Sequence, residues 1–244
     1  MANADNQNAY VGRNIEILIK NSIVDHPSVI NKLKEYFRIQ GKLDNTAGDG
    51  IYGDKSDVRI NFHCGHHIEV NVKGFKDTVG FNQLARTSVS KFCEVFNLNA
   101  DEKRELENIV VAKSKNTRSP LFSEEQRQKW GRFFRDNAKK MLKWGFSRNP
   151  SREILILYNR DTSVAKIYPM KEVLSRLPTD ISFTKGGFNI GDCVSFQRKG
   201  GNGSLSRHIP KTSIQHPGNN VQLKVHINKL IEILKPVKLA EYTI

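Results

Sequence analysis

Two short segments in the first half of the chain alternate apolar and polar residues. The apolar positions are Val58, Ile60 and Phe62 in the first segment and Ile68, Val70 and Val72 in the second. Because alternation with a period of two separates the side chains onto two faces, both segments are predicted to be strands with one buried face. The polar stretch HCGHH between them predicts a turn that joins the two strands into a hairpin.

Helices are predicted for much of the remaining first half. Residues 12–40 are predicted to be helical with a break at His26-Pro27-Ser28, and residues 80–112 are predicted to be helical as well. Residues 41–55 between them are rich in turn-forming residues. A further helix is predicted to begin at Ser123, because Gln126 follows it in the pattern of a capping box.

The second half of the chain is predicted to consist mostly of strands. The segments EILILY, SVAKIY, DISFT, CVSFQRK and NNVQLKVHI favour strands, with one short helix near 170–177. The character of the chain therefore changes near residues 148–152. We predict an α/β (α+β) protein with one region at 1–150 and a β-rich region at 151–244, which can also pack as one continuous domain.

The charge of the chain points to a polyanionic partner. The net charge is +14, with a pI of about 9.7. An excess of this size costs self-repulsion in the folded state and is typical of proteins that bind nucleic acid, although a basic protein without such a role is the alternative. No apolar run approaches the ~18–20 residues that cross a bilayer, and the N-terminal segment lacks a signal-peptide pattern. We therefore expect a cytoplasmic protein with no membrane partner.

The polar faces of the predicted hairpin bring together residues that suit hydrolytic chemistry. If Val70 and Val72 are buried, then Glu69, Asn71 and Lys73 share the opposite face of their strand. Asp57 and Lys73 are equally distant in sequence from a turn centred on Gly65, so Asp57 is predicted to lie near the end of the hairpin that contains Asn71 and Lys73. A carboxylate, a carboxamide and an ammonium group then converge on one patch.

This set of groups suits hydrolysis of a phosphodiester. A carboxylate and a neutral oxygen donor can hold one Mg²⁺, which prefers hard oxygen ligands and also accepts a phosphate oxygen. The ion polarises the phosphoryl group, and a neighbouring lysine can orient the attacking water and offset developing negative charge. The alternative from spacing alone is a surface hairpin with ordinary polar residues.

The same residues carry a resemblance to a known family. The segment KSDVRINF…EVNVKGFKDTVGFNQ resembles the active-site region of the PD-(D/E)xK nuclease superfamily. Within it, the chain is most similar to the monomeric type II restriction endonucleases that cut GCGC and to the MspI-type enzymes that cut CCGG. The likeness continues through LFSEEQ at 121–126, DISFTKGGFNIGDCVSFQRKGGNG at 180–203 and NNVQLKV at 219–225. It implies a restriction-endonuclease-like core, with a mixed β-sheet flanked by helices, and a β-rich C-terminal half that reads DNA.

The resemblance also implies catalytic roles. Asp57 matches the metal-binding aspartate of the motif and Lys73 its lysine, while Asn71 occupies the place where the superfamily usually has Glu or Asp. Mg²⁺ is the implied cofactor, held by Asp57 and Asn71 with the carbonyl of Val72 as a further ligand. Glu69 is the alternative ligand, although its spacing from Lys73 departs from the motif. Glu16 resembles a helix glutamate that many of these nucleases place beside the site, with a solvent-facing helix residue as the alternative.

The stretch QRKGG combines side chains that read DNA with a flexible backbone. Arginine can bond both acceptors on the major-groove edge of guanine, glutamine can bond adenine, and paired glycines allow a close approach of the backbone. The residues assigned to DNA contacts by resemblance are Asn82, Gln83, Gln197, Arg198, Lys199, Gly200, Gly201, Gln222 and Lys224. The alternatives are a basic turn that contacts only phosphates and, for Asn82, a helix N-cap.

The implied function is that of a type II site-specific deoxyribonuclease. It would hydrolyse double-stranded DNA at a short palindrome, expected to have four GC-rich bases, and leave 5′-phosphate and 3′-hydroxyl ends. The relatives imply a monomer, with a DNA methyltransferase as a genetic rather than a physical partner. Two alternatives stay open, namely a structure-specific repair or recombination nuclease of the same superfamily and a DNA-binding protein without catalytic activity.

Overall fold

The structure is a computed structural model that describes residues 4–48, 57–77, 81–201 and 208–244. The chain divides into two compact units. Unit 1 comprises residues 1–80, 146–177 and 230–244, and unit 2 comprises residues 81–145 and 178–229. Each unit thus contains segments from both sides of residue 150. The sequence predicted instead one region before this point, 1–150, and one after it, 151–244. The grouping differs because strand pairing brings residues 153–159 beside residues 67–75.

Unit 1 is built on a mixed six-stranded sheet with the strand order β1-β2-β3-β5-β6-β11. β3 and β5 are parallel, and the other neighbours are antiparallel. The strands are β1 (Leu43–Ala47), β2 (Val58–Phe62), β3 (His67–Phe75), β5 (Glu153–Asn159), β6 (Val164–Pro169) and β11 (Ala240–Thr243). The helices of this unit are α1 (Ala4–Ser22), α2 (Pro27–Phe37) and α6 (Met170–Arg176).

The core of unit 1 explains why its helices lie against the sheet. Apolar residues of α1 and α2, among them Ile19 and Leu33, are fully buried with the alternating apolar residues of β2 and β3. Ile15 of α1 lies directly on Gly74 of β3, where an added Cβ would stand 2.3 Å from the Ile15 Cδ1 atom. The absence of a side chain at Gly74 therefore lets α1 approach β3 at this point.

Unit 2 contains an antiparallel five-stranded sheet with the order β4-β10-β9-β8-β7. The strands are β4 (Phe81–Thr87), β7 (Ile181–Phe183), β8 (Gly187–Ile190), β9 (Val194–Arg198) and β10 (Val221–His226). The helices are α3 (Val89–Phe96), α4 (Ala100–Lys115) and α5 (Glu124–Phe146), of which α5 ends in unit 1, and α7 (Ile227–Leu234) spans the boundary between the units.

An aromatic cluster forms the core of unit 2. The ring of Phe134 lies 4.1 Å from that of Phe188, and Phe188 stacks at 4.8 Å on Phe196. Phe122 packs edge-on against Phe134. These contacts join α5 to β8 and β9, since burial of large aromatic side chains stabilises the packing of a helix on a sheet.

The structure confirms the predicted fold class, a mixed sheet flanked by helices, and several predicted elements. The hairpin of β2 and β3 forms as predicted, and the helical region 12–40 is interrupted between Ser22 and Pro27, where α2 begins. The capping box is present, because the Ser123 backbone N–H donates to Gln126 Oε1 at 2.8 Å and the Gln126 N–H donates to Ser123 Oγ at 3.3 Å.

The prediction of helix across residues 80–112 is wrong for its first part. Residues 81–87 form β4, because they pair with β10 over its whole length. This pairing joins residues more than a hundred positions apart, and such a contact overrides local propensity. Asn82 therefore does not cap a helix, and Ser88 caps α3 instead by accepting a hydrogen bond from the Lys91 N–H at 3.1 Å. The sequence also missed β1, β8, α7 and β11.

No helix within the described part of the chain combines the length and the apolar character that a membrane span requires.

Candidate active site

The register of the hairpin determines which residues meet. Asn61 lies opposite His67 and Val58 opposite Val70, so the hairpin is centred on residue 64, one residue before the predicted centre. Asp57 continues this ladder, since its N–H donates to the Val70 carbonyl at 2.9 Å. The side chain of Asp57 is thereby placed beside the second half of β3.

Asp57 contacts the middle of β3 through its carboxylate. Asp57 Oδ2 accepts a hydrogen bond from the Val72 N–H at 2.7 Å and lies 3.9 Å from Lys73 Nζ. The side chains of Asp57 and Lys73 are only 20% and 19% exposed. Because both charges are mostly withdrawn from water, their attraction is stronger than that of a surface ion pair.

Asn71 presents a buried carboxamide at the same place. Asn71 is 6% exposed, and its Nδ2 donates to the Phe146 carbonyl at 3.0 Å. Its Oδ1 is buried and accepts no hydrogen bond from any described residue. An unsatisfied buried acceptor costs about 1–3 kcal/mol, so this oxygen is suited to bind a ligand such as a hard cation.

Glu69, the alternative ligand, has its partners nearer the turn of the hairpin. Its Oε1 lies 3.7 Å from His67 Nε2 and 4.0 Å from Arg59 Nη2. Arg59 also lies opposite Glu69 in the strand register. The two candidate ligands on β3 therefore differ in their surroundings, because Glu69 faces Arg59 and His67, whereas Asn71 lies next to the residues that contact Asp57.

Glu16 of α1 lies within electrostatic reach of this group. Burial raises the pKa of Glu16, the negative charge of Asp57 raises this pKa further, and the positive charge of Lys73 opposes the shift. The close packing of Ile15 on Gly74 fixes α1 at this position. The structure therefore brings Glu16, Asp57, Asn71 and Lys73 together within unit 1.

Glu16→Gln is expected to stabilise the folded protein more at neutral than at acidic pH. The pKa of Glu16 in the folded state is raised, so the folded state binds more protons than the unfolded state between the ordinary and the raised pKa. The wild-type protein consequently loses stability as the pH rises through that interval, and glutamine removes this loss. Melting temperatures of the wild type and of Glu16→Gln, measured in EDTA at an acidic and a neutral pH, test this expected difference in stability. An equal difference at both pH values would contradict the expectation.

The candidate oxygen donors at this site differ from a conventional cluster of metal-binding side chains. Within the described ranges, no three or more His, Cys, Asp or Glu side chains lie together as metal ligands. The carboxamide of Asn71 and a backbone carbonyl are candidate oxygen donors beside Asp57. The Val72 carbonyl is on the edge of β3 that faces Asp57, because the N–H and C=O of a strand residue point to the same neighbour and the Val72 N–H binds Asp57.

The predicted DNA-contact residues of β9 and β10 do not all share one face. Gln197 lies opposite Gln222 in the pairing of these strands, and Lys224 lies two residues beyond Gln222 on the same face. Arg198 follows Gln197 directly and belongs to the opposite face. Gln222 is 3% exposed, so its side chain is inaccessible in this structure.

Strand β4 continues this face and adds a residue that the sequence analysis missed. Gln83 lies opposite Lys224, and Arg86 lies opposite Gln222 with an exposed side chain. Asn82 precedes Gln83 and lies opposite Val225 on the other face. Arg86 escaped notice because its segment was predicted to be helical, and a bulge between its strand partners obscures the alternation.

The QRKGG segment is held by a turn at residues 216–220. The Lys199 N–H donates to the Asn220 carbonyl at 2.8 Å, and the Gly200 N–H donates to the Gly218 carbonyl at 2.9 Å. Gly200 and Gly201 have φ angles of +70° and +76°, which side chains disfavour. The two glycines are therefore required by the backbone conformation of this loop.

Arg198 is oriented by a second residue that the sequence analysis missed. Arg198 Nε donates to Asn219 Oδ1 at 2.7 Å, and the Asn219 Nδ2 donates to the carbonyls of Lys211 and Ser213. Asn219 is 1% exposed. Burial lowers the pKa of Arg198. The pKa of Lys113 is lowered mainly by its own burial and further by the positive charges of Lys185 and Arg198. Three cations thus lie near one another in unit 2.

Comparison with known proteins finds similarity at the level of structure. No protein-family model matches the chain, and no curated protein matches it. Among solved structures, the fold is similar to that of a restriction endonuclease. That structure is the crystal structure of MspI in complex with its cognate DNA, with a TM-score of 0.48 and 14% sequence identity over 86% of this chain and 82% of that chain.

Proposed function

We propose that this protein is a Mg²⁺-dependent type II site-specific deoxyribonuclease. It hydrolyses double-stranded DNA at a short, GC-rich, four-base palindrome and leaves 5′-phosphate and 3′-hydroxyl ends. The observation that carries the proposal is the placement of three groups along residues 71–73 of β3: the Asp57 carboxylate, the Lys73 ammonium, and an Asn71 Oδ1 that is buried without a hydrogen-bond partner among the described residues. We also propose that it acts as a monomer and is paired genetically with a DNA methyltransferase.

Asp57, Asn71 and the Val72 carbonyl supply the oxygen ligands in this proposal. Oxygen donors of this kind suit Mg²⁺, and the buried Asn71 Oδ1 gains the partner that it lacks among the described residues. A bound Mg²⁺ would polarise the scissile phosphate and make a water molecule more acidic. The neutral carboxamide contributes no charge, so the affinity for Mg²⁺ depends strongly on Asp57 and on the DNA phosphate.

Lys73 and Glu16 act on the reacting groups. Lys73 Nζ, held at 3.9 Å from Asp57 Oδ2, can orient the attacking water and stabilise negative charge on the phosphate as the bond breaks. Glu16 has a raised pKa, which brings it closer to the range where a carboxyl group exchanges protons during catalysis.

Unit 2 supplies the DNA contacts in this proposal. Its cations and amides include the predicted Asn82, Gln83, Gln197, Arg198, Lys199, Gln222 and Lys224, the backbone of Gly200 and Gly201, and in addition Arg86. Arginine and glutamine read base edges in the major groove, and lysine contacts phosphates. The burial of Gln222 implies that its side chain must be uncovered before it can contact a base.

Arg198→Ala is expected to reduce discrimination between the cognate site and a site with one changed base pair. The hydrogen bond from Arg198 Nε to Asn219 leaves the two Nη groups for a guanine edge. Loss of one bidentate contact of this kind weakens discrimination by about 1–3 kcal/mol, which is about 5- to 150-fold. Competition binding with cognate and single-substitution duplexes measures this discrimination, and Lys211→Ala is the control. Unchanged discrimination would remove Arg198 from the set of base-reading residues.

Digestion of plasmid DNA with Mg²⁺ tests the proposed function. Discrete fragments with a common terminal sequence are expected, and protection by site-specific methylation should follow. Nicking that depends on branched DNA would replace the proposal with a repair or recombination nuclease. Tight DNA binding without cleavage in Mg²⁺ or Mn²⁺ would favour a DNA-binding protein without catalytic activity, the second candidate that the uncharged Asn71 supports.

A further inference from the structure

We propose that position 71 carries a carboxamide because its NH₂ group binds the carbonyl at the end of α5, and that Glu153 holds this end in place. In this account the Phe146 carbonyl orients Asn71, and Glu153 is a positioning residue that acts through the chain after Phe146. The inference deepens the proposed function, since it concerns the orientation of the Asn71 oxygen that we assign to the metal. All of these residues belong to unit 1.

The two ends of the Asn71 carboxamide have different surroundings. Nδ2 donates to the Phe146 carbonyl at 3.0 Å, whereas Oδ1 is buried without a partner among the described residues. The hydrogen bond therefore fixes the rotation of the amide and directs Oδ1 away from Phe146. Asn71 shares its face of β3 with Lys73, so this orientation presents the oxygen on the polar face of the strand.

A carboxylate cannot replace this amide without a penalty. Phe146 is the last residue of α5, and the carbonyls at the end of a helix lack partners within the helix. An aspartate at position 71 would place an oxygen with negative charge against the Phe146 carbonyl oxygen. Two acceptors would then face each other in a buried place, where the loss of a hydrogen bond and the repulsion are costly.

Glu153 fixes the position of the Phe146 carbonyl. Glu153 is 4% exposed, and its Oε1 accepts hydrogen bonds from the backbone N–H groups of Arg148 and Asn149, the first at 2.9 Å. These two residues follow Phe146 after a single intervening residue. Glu153 also begins β5 and lies opposite Glu69 in the parallel pairing of β3 and β5. A buried carboxylate therefore ties the chain after α5 to the same face that carries Asn71.

The first test compares Asn71→Asp with Asn71→Ala. Many related sites use a carboxylate at this position, so a simple ligand role predicts that Asn71→Asp keeps or improves Mg²⁺ binding. The present proposal predicts instead that Asn71→Asp loses cleavage to the same extent as Asn71→Ala. It also predicts that Mg²⁺ raises the melting temperature of the Asn71→Asp complex with DNA by less than in the wild type. Wild-type cleavage or stronger stabilisation by Mg²⁺ in Asn71→Asp would overturn the proposal.

The second test reads the orientation of Asn71 directly and does not depend on nuclease activity. In the wild-type protein, NMR should show slowly exchanging Asn71 side-chain NH₂ protons, because Nδ2 is buried and bonded. Glu153→Ala should speed this exchange about tenfold, as expected for the loss of a supporting hydrogen bond, and Glu153→Gln, which retains an acceptor, should have a smaller effect. Glu69→Gln is the matched control, because Glu69 is the neighbour of Glu153 in register but does not bind the turn.

The two tests separate failure of this inference from failure of the proposed function. If exchange of the Asn71 NH₂ group is unchanged in Glu153→Ala, or is fast in the wild type, the positioning role is wrong even when the protein cuts DNA. If the exchange results are as expected and plasmid DNA is not cut, the positioning role holds and the nuclease assignment fails.

Discussion

Lys73→Ala is expected to lower the rate of DNA cleavage about 10²- to 10³-fold, the usual effect of removing one group that stabilises a developing negative charge. Lys73 is 19% exposed and lies 3.9 Å from Asp57, so another lysine cannot easily take its place. Binding of specific DNA should change little, because Lys73 acts on the transition state rather than on the bases. Single-turnover cleavage and equilibrium binding with the same duplex separate the two effects.

Lys76→Ala is the matched control for this variant. Lys76 lies just beyond β3 in the same segment, carries the same charge and is exposed. Its replacement should leave the cleavage rate near the wild-type value. If Lys73→Ala cuts as fast as Lys76→Ala, the catalytic assignment of Lys73 is wrong.

Asp57→Asn is expected to produce a loss of at least about 10³-fold in cleavage, because the site would lose its negatively charged ligand and a catalytic metal contributes several kcal/mol. The fold should survive, since an asparagine oxygen can still accept the hydrogen bond from the Val72 N–H. Cleavage should therefore fall without a matching fall in melting temperature in EDTA. Measuring both quantities on one preparation tests the assignment.

Asp44→Asn controls for the loss of an acidic charge from unit 1. Asp44 is exposed on β1 and lies 3.8 Å from His63, so it belongs to the surface rather than to the proposed site. Cleavage by Asp44→Asn should remain close to that of the wild type. A cleaving Asp57→Asn protein with unchanged dependence on Mg²⁺ would show that another residue holds the metal.

The proposed site depends on two sources of information in the sequence. The alternation in β2 and β3 predicts that Asn71 and Lys73 share a face, and the turn between the strands predicts that Asp57 lies near them. Both features are local, since the alternation of the two strands and the geometry of the turn set the register of a hairpin. The structure brings these residues together in that way, while their catalytic roles stay predictions.

The proposed DNA-contact surface was harder to predict because its parts are not local. Gln197 and Gln222 were singled out by residue type, yet only the pairing of β9 with β10 places them opposite each other. Arg86 joins them through the pairing of β4 with β10, in a segment whose apolar pattern predicts a helix. The partner strand, rather than the local sequence, decides that this segment is extended.

By itself, the sequence determined the hairpin, the start of α5, the basic charge and the residue types at positions 57, 71 and 73, because each follows from local periodicity or composition. Only the tertiary structure decided what these residues touch. Asn71 meets the Phe146 carbonyl from 75 positions away in the sequence, and Arg198 meets Asn219 from 21 positions away. Contacts between distant segments form only when the whole chain packs, and one sequence carries no local pattern that encodes them.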